Sequence, residues 1–181
     1  ITAHTDRREA LVGADYIINA IAVGDVDPYI MSDFEIPEKY GLEQTVADTL
    51  GIGGIFRGLR TIPVMMEIAK DIMELCQDAW VFNYTNPMAI ITGAVLQATD
   101  VKCVGLCHSV QVCAKELLEP LGLPYEDVTC RVGGINHQAW VLELKRKGVD
   151  IYPEVKELAF ARTEDHTDKV RYELMKMFGY Y

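Results

Sequence analysis

Before Pro124 the apolar residues gather into short unbroken runs separated by helically spaced sets; after it the pattern changes. Tyr16 to Val23 is a mostly apolar run rich in β-branched residues and closed by Gly24. Such a run fits a strand buried on both faces of a parallel sheet. Ala79 to Tyr84 and Val101 to Leu106 are two further runs of this kind. Helical spacing lies between and after them: Asp6 to Val12, Ile62 to Cys76 with Pro63 in the first turn, Pro87 to about Ala98, and Ser109 to Leu118. Strand and helix thus alternate, the signature of a doubly wound parallel sheet in an α/β protein. Between Gly24 and Gly58 the pattern is irregular, with Pro28, Pro37 and a possible short helix from Glu43 to Leu50. Beyond Pro124, Val128 to Val132 and Ala139 to Leu144 read as strands, with a turn over Lys145-Arg146-Lys147-Gly148. Helices over Glu154 to Ala161 and Asp165 to Phe178 follow, and a domain transition is placed near Gly133, dividing the chain into residues 1–132 and 133–181.

Composition narrows the class. With 181 residues, half of them hydrophobic, the chain is one domain or parts of two. A net charge of −10 excludes a phosphate-backbone partner, which requires clustered Lys and Arg. No apolar run is long enough to span a bilayer and no signal peptide opens the chain, so no membrane partner and a cytoplasmic location are expected. The five cysteines are odd in number and lack zinc-ribbon spacing, so they read as reduced thiols. The opening Ile1-Thr2-Ala3-His4 and the close at Phe178-Gly179-Tyr180-Tyr181 suggest an internal piece of a longer protein.

In an open parallel sheet, ligands bind beyond the carboxyl ends of the strands. The three expected strand ends deliver Gly24 and Asp25, then Asn83, Thr85 and Asn86, then Cys107, His108 and Ser109. All are polar where an apolar run has just stopped. Cys107 in Gly105-Leu106-Cys107-His108-Ser109 and His137 in Gly133-Gly134-Ile135-Asn136-His137 are metal-capable groups beside glycines that would let a ligand come close. Spacing alone leaves two readings open: a buried cysteine with a satisfied histidine, or a site assembled from separate elements. The Gly51 to Gly58 segment is glycine-rich, but no convincing strand precedes it, so a backbone bend is favoured over a phosphate cradle. Asp25, Asp27, Asp33 and Glu35 read as a solvated acidic loop, and His4 and His166 as exposed; Asp48 is a candidate contact for a substrate hydroxyl.

Asn83-Tyr84-Thr85-Asn86-Pro87-Met88, Gly105-Leu106-Cys107-His108-Ser109-Val110-Gln111 and Gly134-Ile135-Asn136-His137 closely resemble the family 4 glycoside hydrolases. Gly41-Leu42-Glu43-Gln44-Thr45 and Asp48-Thr49-Leu50-Gly51 resemble the α-galactosidase branch in particular, and the likeness runs over essentially the whole chain. It implies part of a Rossmann-like doubly wound sheet, its first strands absent, leading into an α+β catalytic domain. It also implies a glycosidase outside the two-carboxylate scheme, dependent on NAD and manganese. Hydride loss from the sugar C3 acidifies the C2 proton, the glycosidic oxygen leaves by elimination, water adds at C1, and the hydride returns. Carried over from the resemblance, Cys107 and His137 are the metal ligands, Asn86 and Asn136 hydrogen-bond the sugar, and Gly24 and Asn83 lie at the cofactor. His108 stands where the phospho-glycosidase branch carries an acidic residue, and is expected near the departing oxygen as a proton donor. That branch places an arginine near the position of Ser32; the absence of a cation from Tyr29 to Asp33 points to a non-phosphorylated sugar.

The resemblance further implies a homo-oligomer. It puts the dinucleotide fingerprint upstream of Ile1 and the C2 base downstream of Tyr181, so the polypeptide alone is not expected to complete the reaction. An α-galacturonidase is the nearest rival, favoured if Arg57 or Arg60 meets a uronate. An NAD-dependent 2-hydroxyacid dehydrogenase shares the sheet but has no use for a Cys107/His137 pair. A truncated binding module is the non-enzymatic alternative.

Overall fold

The computed structural model describes residues 1–44, 49–162 and 168–181, and the chain forms two compact units, Ile1–Cys107 and His108–Tyr181.

The first unit is built on a three-stranded parallel sheet in the order β1 (Tyr16–Asn19), β2 (Trp80–Asn83), β3 (Lys102–Gly105). Helix α1 (Arg7–Leu11) leads into β1 and begins at Asp6, whose carboxylate accepts from the Arg8 N–H at 2.9 Å. A π-helical turn (Val26–Ile30), α2 (Met31–Glu38) and the long α3 (Gly51–Leu75) connect β1 to β2, and α4 (Met88–Ala98) connects β2 to β3. This alternation, read from the apolar runs, is the α/β arrangement expected. Met65, Ala69 and Ile72 of α3 and Ile91 and Val95 of α4 bury themselves against Val81 and Cys103 of the sheet. The opposite face differs from the expectation of strands buried on both sides: Tyr16 and Ile18 are 72% and 74% exposed, and Trp80 and Val104 are also exposed.

β1 is shorter than its apolar run. It stops at Asn19 because the next backbone groups find side-chain partners: the Ile21 N–H donates to the Thr85 hydroxyl at 2.9 Å. Gly24 and Asp25 therefore lie in the loop beyond the strand, not at its end.

The glycine-rich segment is a helix, not a bend. Its glycines cost helix propensity, about 1 kcal/mol each against alanine, and close packing outweighs that cost. A Cβ on Gly54 would meet the Thr49 carbonyl carbon at 2.6 Å, and one on Gly58 would meet the Ile90 side chain at 3.0 Å and Pro87 at 3.5 Å. Pro63, expected in a first turn, is consequently interior to α3. Of the expected helix over Glu43 to Leu50, the described ends, Glu43, Gln44, Thr49 and Leu50, are not helical; its middle, with the candidate Asp48, lies outside the described residues, as does His166.

In the second unit α5 (Ser109–Leu118), a 3₁₀ turn (Glu119–Leu121), an antiparallel sheet of β4 (Val128–Ile135), β5 (Gln138–Arg146) and β6 (Val149–Asp150), and helices α6 (Tyr152–Ala161) and α7 (Lys169–Phe178) follow in order. Both long strands outrun their apolar patterns. The pairing shifts by one residue between Arg131↔Glu143 and Val132↔Val141, leaving Leu142 as a bulge. That extra residue lets Val141 and Leu144, three apart, both face a core made with Leu117, Leu118, Val155, Tyr172 and Met175. The Tyr152 hydroxyl donates to the Val141 carbonyl at 2.8 Å and accepts from the Tyr181 N–H at 2.7 Å, so its buried oxygen is fully used. Among the described residues, no helix is long and apolar enough to cross a membrane.

Two glycines in helices have opposite expected responses. Gly54→Ala forces a methyl into immovable backbone and is expected to destabilise by about 1–3 kcal/mol. Gly93→Ala, in α4 with open space where its Cβ would stand, is expected to stabilise by about 0.5–1 kcal/mol. Urea unfolding of the two variants beside wild type checks both signs.

Candidate functional site

The parallel register sets Asn19 beside Asn83 and Asn83 beside Gly105, so the three carboxyl ends finish level. A crevice beyond such ends is where open α/β sheets take ligands. The polar side chains here lock together. Asn19 Nδ2 donates to Asn83 Oδ1 at 2.8 Å and to the Thr85 hydroxyl at 2.9 Å. Asn83 Oδ1 also accepts from the Thr85 N–H at 3.1 Å, while Asn83 Nδ2 donates to the Thr85 carbonyl at 3.3 Å and to Thr92 Oγ1 at 3.1 Å. Asn83 is 0% exposed with both donors and both acceptor positions occupied, which leaves its side chain nothing to offer a cofactor.

Asn86, half-buried, sits on the turn that this network holds and precedes Pro87 through a cis peptide. The glycine that ends β3 is required by the helix behind it: a Cβ on Gly105 would run into the Met88 sulfur and approach Thr92 Oγ1 to 2.7 Å. Cys107 follows, half-buried, at the end of the first unit. None of the five cysteines forms a disulfide, and burial pushes the Cys76, Cys103 and Cys130 thiols up, which suits reduced thiols packing as small apolar groups. Gly24 is exposed at φ +78° and packs under Tyr29, whose ring would lie 2.9 Å from a Cβ there.

In the second unit His108 is exposed at the residue preceding α5, where its carbonyl accepts from the Val112 N–H at 3.2 Å. Asn136 and His137 form the two-residue tip of the β4–β5 hairpin, closed by the pair Ile135↔Gln138, with His137 at φ +63°. The sequence pattern holds this signal in blurred form, two apolar runs about a longer Asn-containing link. The glycines before the tip serve the hairpin, not a ligand: a Cβ on Gly133 would meet Leu142 at 2.9 Å, and one on Gly134 would meet Ala139 Cα at 2.5 Å. The tip carries one anomaly. Asn136 Oδ1 is buried and accepts no hydrogen bond. A buried carbonyl oxygen left so costs about 1–3 kcal/mol, which a bonded hydroxyl or water would relieve.

The acidic loop is not a uniformly solvated face. Asp25, Asp27 and Glu35 are exposed, but Asp33 is 4% exposed and takes Arg60 of α3 in a two-point ion pair at 2.6 and 3.3 Å. Arg60 also lies over the Tyr29 ring, 6.0 Å from its centroid. Gln44 completes the tie, donating to the Asp33 carbonyl and accepting from the Gly53 N–H, each at 3.4 Å. His4 is exposed as expected, with its ring 3.1 Å from Glu9. Among the described residues no three His, Cys, Asp or Glu side chains gather closely enough to enclose a metal ion. Of the candidate donors, the Cys107 thiol closes the first unit and the His137 imidazole stands on the hairpin tip of the second, each a single ligand of the kind a cation takes while leaving positions to oxygens and water.

The chain is thus a parallel α/β sheet with polar strand ends, followed by an antiparallel hairpin unit with its own helices. The family 4 glycosyl hydrolase model matches residues 1–123, the family 4 glycosyl hydrolase C-terminal domain model matches residues 132–181, and the chain belongs to this family. It is 57% identical to an α-galactosidase of Bacillus subtilis (strain 168), covering all of this chain and 42% of that protein. It is 37% identical to an α-galacturonidase of Thermoanaerobacter italicus, over 94% of this chain and 42% of that one. The 6-phospho-β-glucosidase of Thermotoga maritima, solved with manganese, NAD⁺ and glucose-6-phosphate, superposes with a TM-score of 0.82 at 27% identity, covering 98% of this chain and 42% of that one. The chain therefore spans about two-fifths of the length of these relatives. Membership in this family sets aside the dehydrogenase alternative; the sheet is shared, the motifs are not.

Asp33 and Asp25 separate the two kinds of acidic residue in one loop. Asp33→Ala strands the Arg60 guanidinium and is expected to cost about 3–5 kcal/mol, whereas Asp25→Ala at the surface is expected to stay within about 0.5 kcal/mol. Denaturant midpoints of the two variants measure the difference.

Proposed function

We propose that the chain is part of an NAD- and manganese-dependent α-galactosidase. The observation that carries this reading is the hairpin tip: Asn136 Oδ1, buried and unpaired, beside the exposed imidazole of His137, in the motif the family shares. When bound, NAD would supply reversible hydride acceptance at the sugar C3 and the divalent cation a Lewis acid for the C2 and C3 oxygens. Cys107 and His137 would hold the cation. Asn86, on its braced turn, and Asn136 would hold sugar hydroxyls, and the loop carrying Gly24 would border the cofactor. His108 would give its proton to the departing glycosidic oxygen; its exposure and its place directly after Cys107 suit that task. Residue 48 would contribute a further hydroxyl contact.

A non-phosphorylated sugar is favoured, and of the two arginines that could meet a uronate Arg60 is already committed. Arg60 spends both terminal nitrogens on Asp33, and Ser32 turns its hydroxyl to the Tyr29 carbonyl at 2.7 Å where a phosphate would need a cation.

The full-length protein is expected to hydrolyse p-nitrophenyl α-galactoside only with both NAD and Mn²⁺ present, and to prefer it to the galacturonide. Cys107→Ser is expected to lower kcat/KM by about 100-fold or more. His108→Gln is expected to lose about 100-fold on galactosides with an alkyl leaving group and much less on the nitrophenyl substrate, whose departure needs little protonation. Hydrolysis indifferent to NAD would overturn the reading; faster cleavage of the galacturonide would move the substrate to the uronide.

A further inference from the structure

The buried amides at the strand ends do more than close the sheet. Two backbone partners fix the orientation of the Asn83 amide: the Thr85 N–H demands an oxygen and the Thr85 carbonyl demands an N–H. With Asn83 Oδ1 so placed, Asn19 must present its nitrogen, which it does at 2.8 Å while reaching the Thr85 hydroxyl at 2.9 Å. Asn19 itself is 6% exposed, on a strand whose neighbouring positions Ile17 and Ile18 are apolar. An apolar residue of similar size would satisfy the core; the polar amide is retained where it meets the turn that carries Asn86.

We infer that Asn19 is a positioning residue: acting through Asn83 and Thr85, it holds the Thr85-Asn86-Pro87 turn in the place where Asn86 meets the sugar, without touching substrate. This rests on the preceding reading of Asn86. The Ile21 N–H bonds to the same Thr85 hydroxyl independently, so the loop leading to Gly24 keeps its own tie when Asn19 is removed. The inferred role is therefore selective for the sugar side of the site.

The test uses the full-length protein and two readouts. In Asn19→Leu, KM for p-nitrophenyl α-galactoside is expected to rise about 10- to 100-fold, with NAD affinity by calorimetry held within about threefold. Hydrogen exchange of the Thr85 N–H is expected to quicken about tenfold while that of Val81 and Phe82 in β2 is unchanged. Thr85→Val, which removes the hydroxyl acceptor, is expected to weaken galactoside binding in the same sense, and Thr85→Ser, which keeps it, to behave as wild type; this pair decides the matter if Asn19→Leu does not fold. A lowered melting temperature with unchanged KM and unchanged Thr85 exchange would overturn the inference and leave Asn19 a packing residue. A wild type that hydrolyses no α-galactoside would instead overturn the preceding reading, and the exchange result would then decide on its own whether Asn19 holds the turn.

Discussion

Where a parallel sheet stops, its last backbone groups lose their ladder partners, and something must replace them without water if the ends are to remain buried. Here the replacement is a set of short polar side chains: Asn19, Asn83, Thr85 and Thr92 exchange hydrogen bonds among themselves and with the backbone at Ile21 and Thr85. Everything that gives the first unit its chemistry hangs from this knot. The loop to Gly24, the turn at Asn86 and, through the Leu106 N–H bonded to the Asn83 carbonyl at 2.9 Å, the segment entering Cys107 all leave the sheet at points it fixes. A buried polar network of this kind must be complete to be tolerable, and this one satisfies every position of Asn83.

Glycine plays a different part from the one its frequency suggests. Three glycine-bearing segments look like places for a ligand to come close, and at each the space is filled by the protein. Gly54 and Gly58 admit the Thr49 backbone and α4; Gly105 admits Met88 and Thr92; Gly133 and Gly134 admit Leu142 and the facing strand. The groups assigned to a ligand, Cys107 and Asn136-His137, stand two or three residues after Gly105 and Gly134.

Much of this was legible in the chain. The three apolar runs located the parallel strands, and the motifs at their ends located the family. The misses share one cause. The pattern gives the second half of α3 as a helix but its glycine-rich first half as a bend, because the glycines' packing partners, Thr49, Pro87 and Ile90, are met only in the folded chain. Asp33 looked like its exposed neighbours because its partner, Arg60, lies on another helix. Asn19 drew no notice because a single polar residue in an apolar run does not announce a network. The two-residue hairpin at Asn136-His137 was blurred because both strands run past their apolar residues to Ile135 and Gln138, leaving six residues between the runs the pattern shows.

The bulge at Leu142 gives the hairpin a parity. Side chains on a strand alternate faces with period two, so one extra residue exchanges up for down along everything beyond it. On the Leu144 side of the bulge the pairing holds the strands against the core; on the other side it dictates which way the tip, with Asn136 and His137, is presented. The direction of the imidazole is thus set five residues away, by a counting rule written into the backbone. An insertion or deletion within this hairpin changes an even number to an odd one, and would turn the tip over while every strand remained in place.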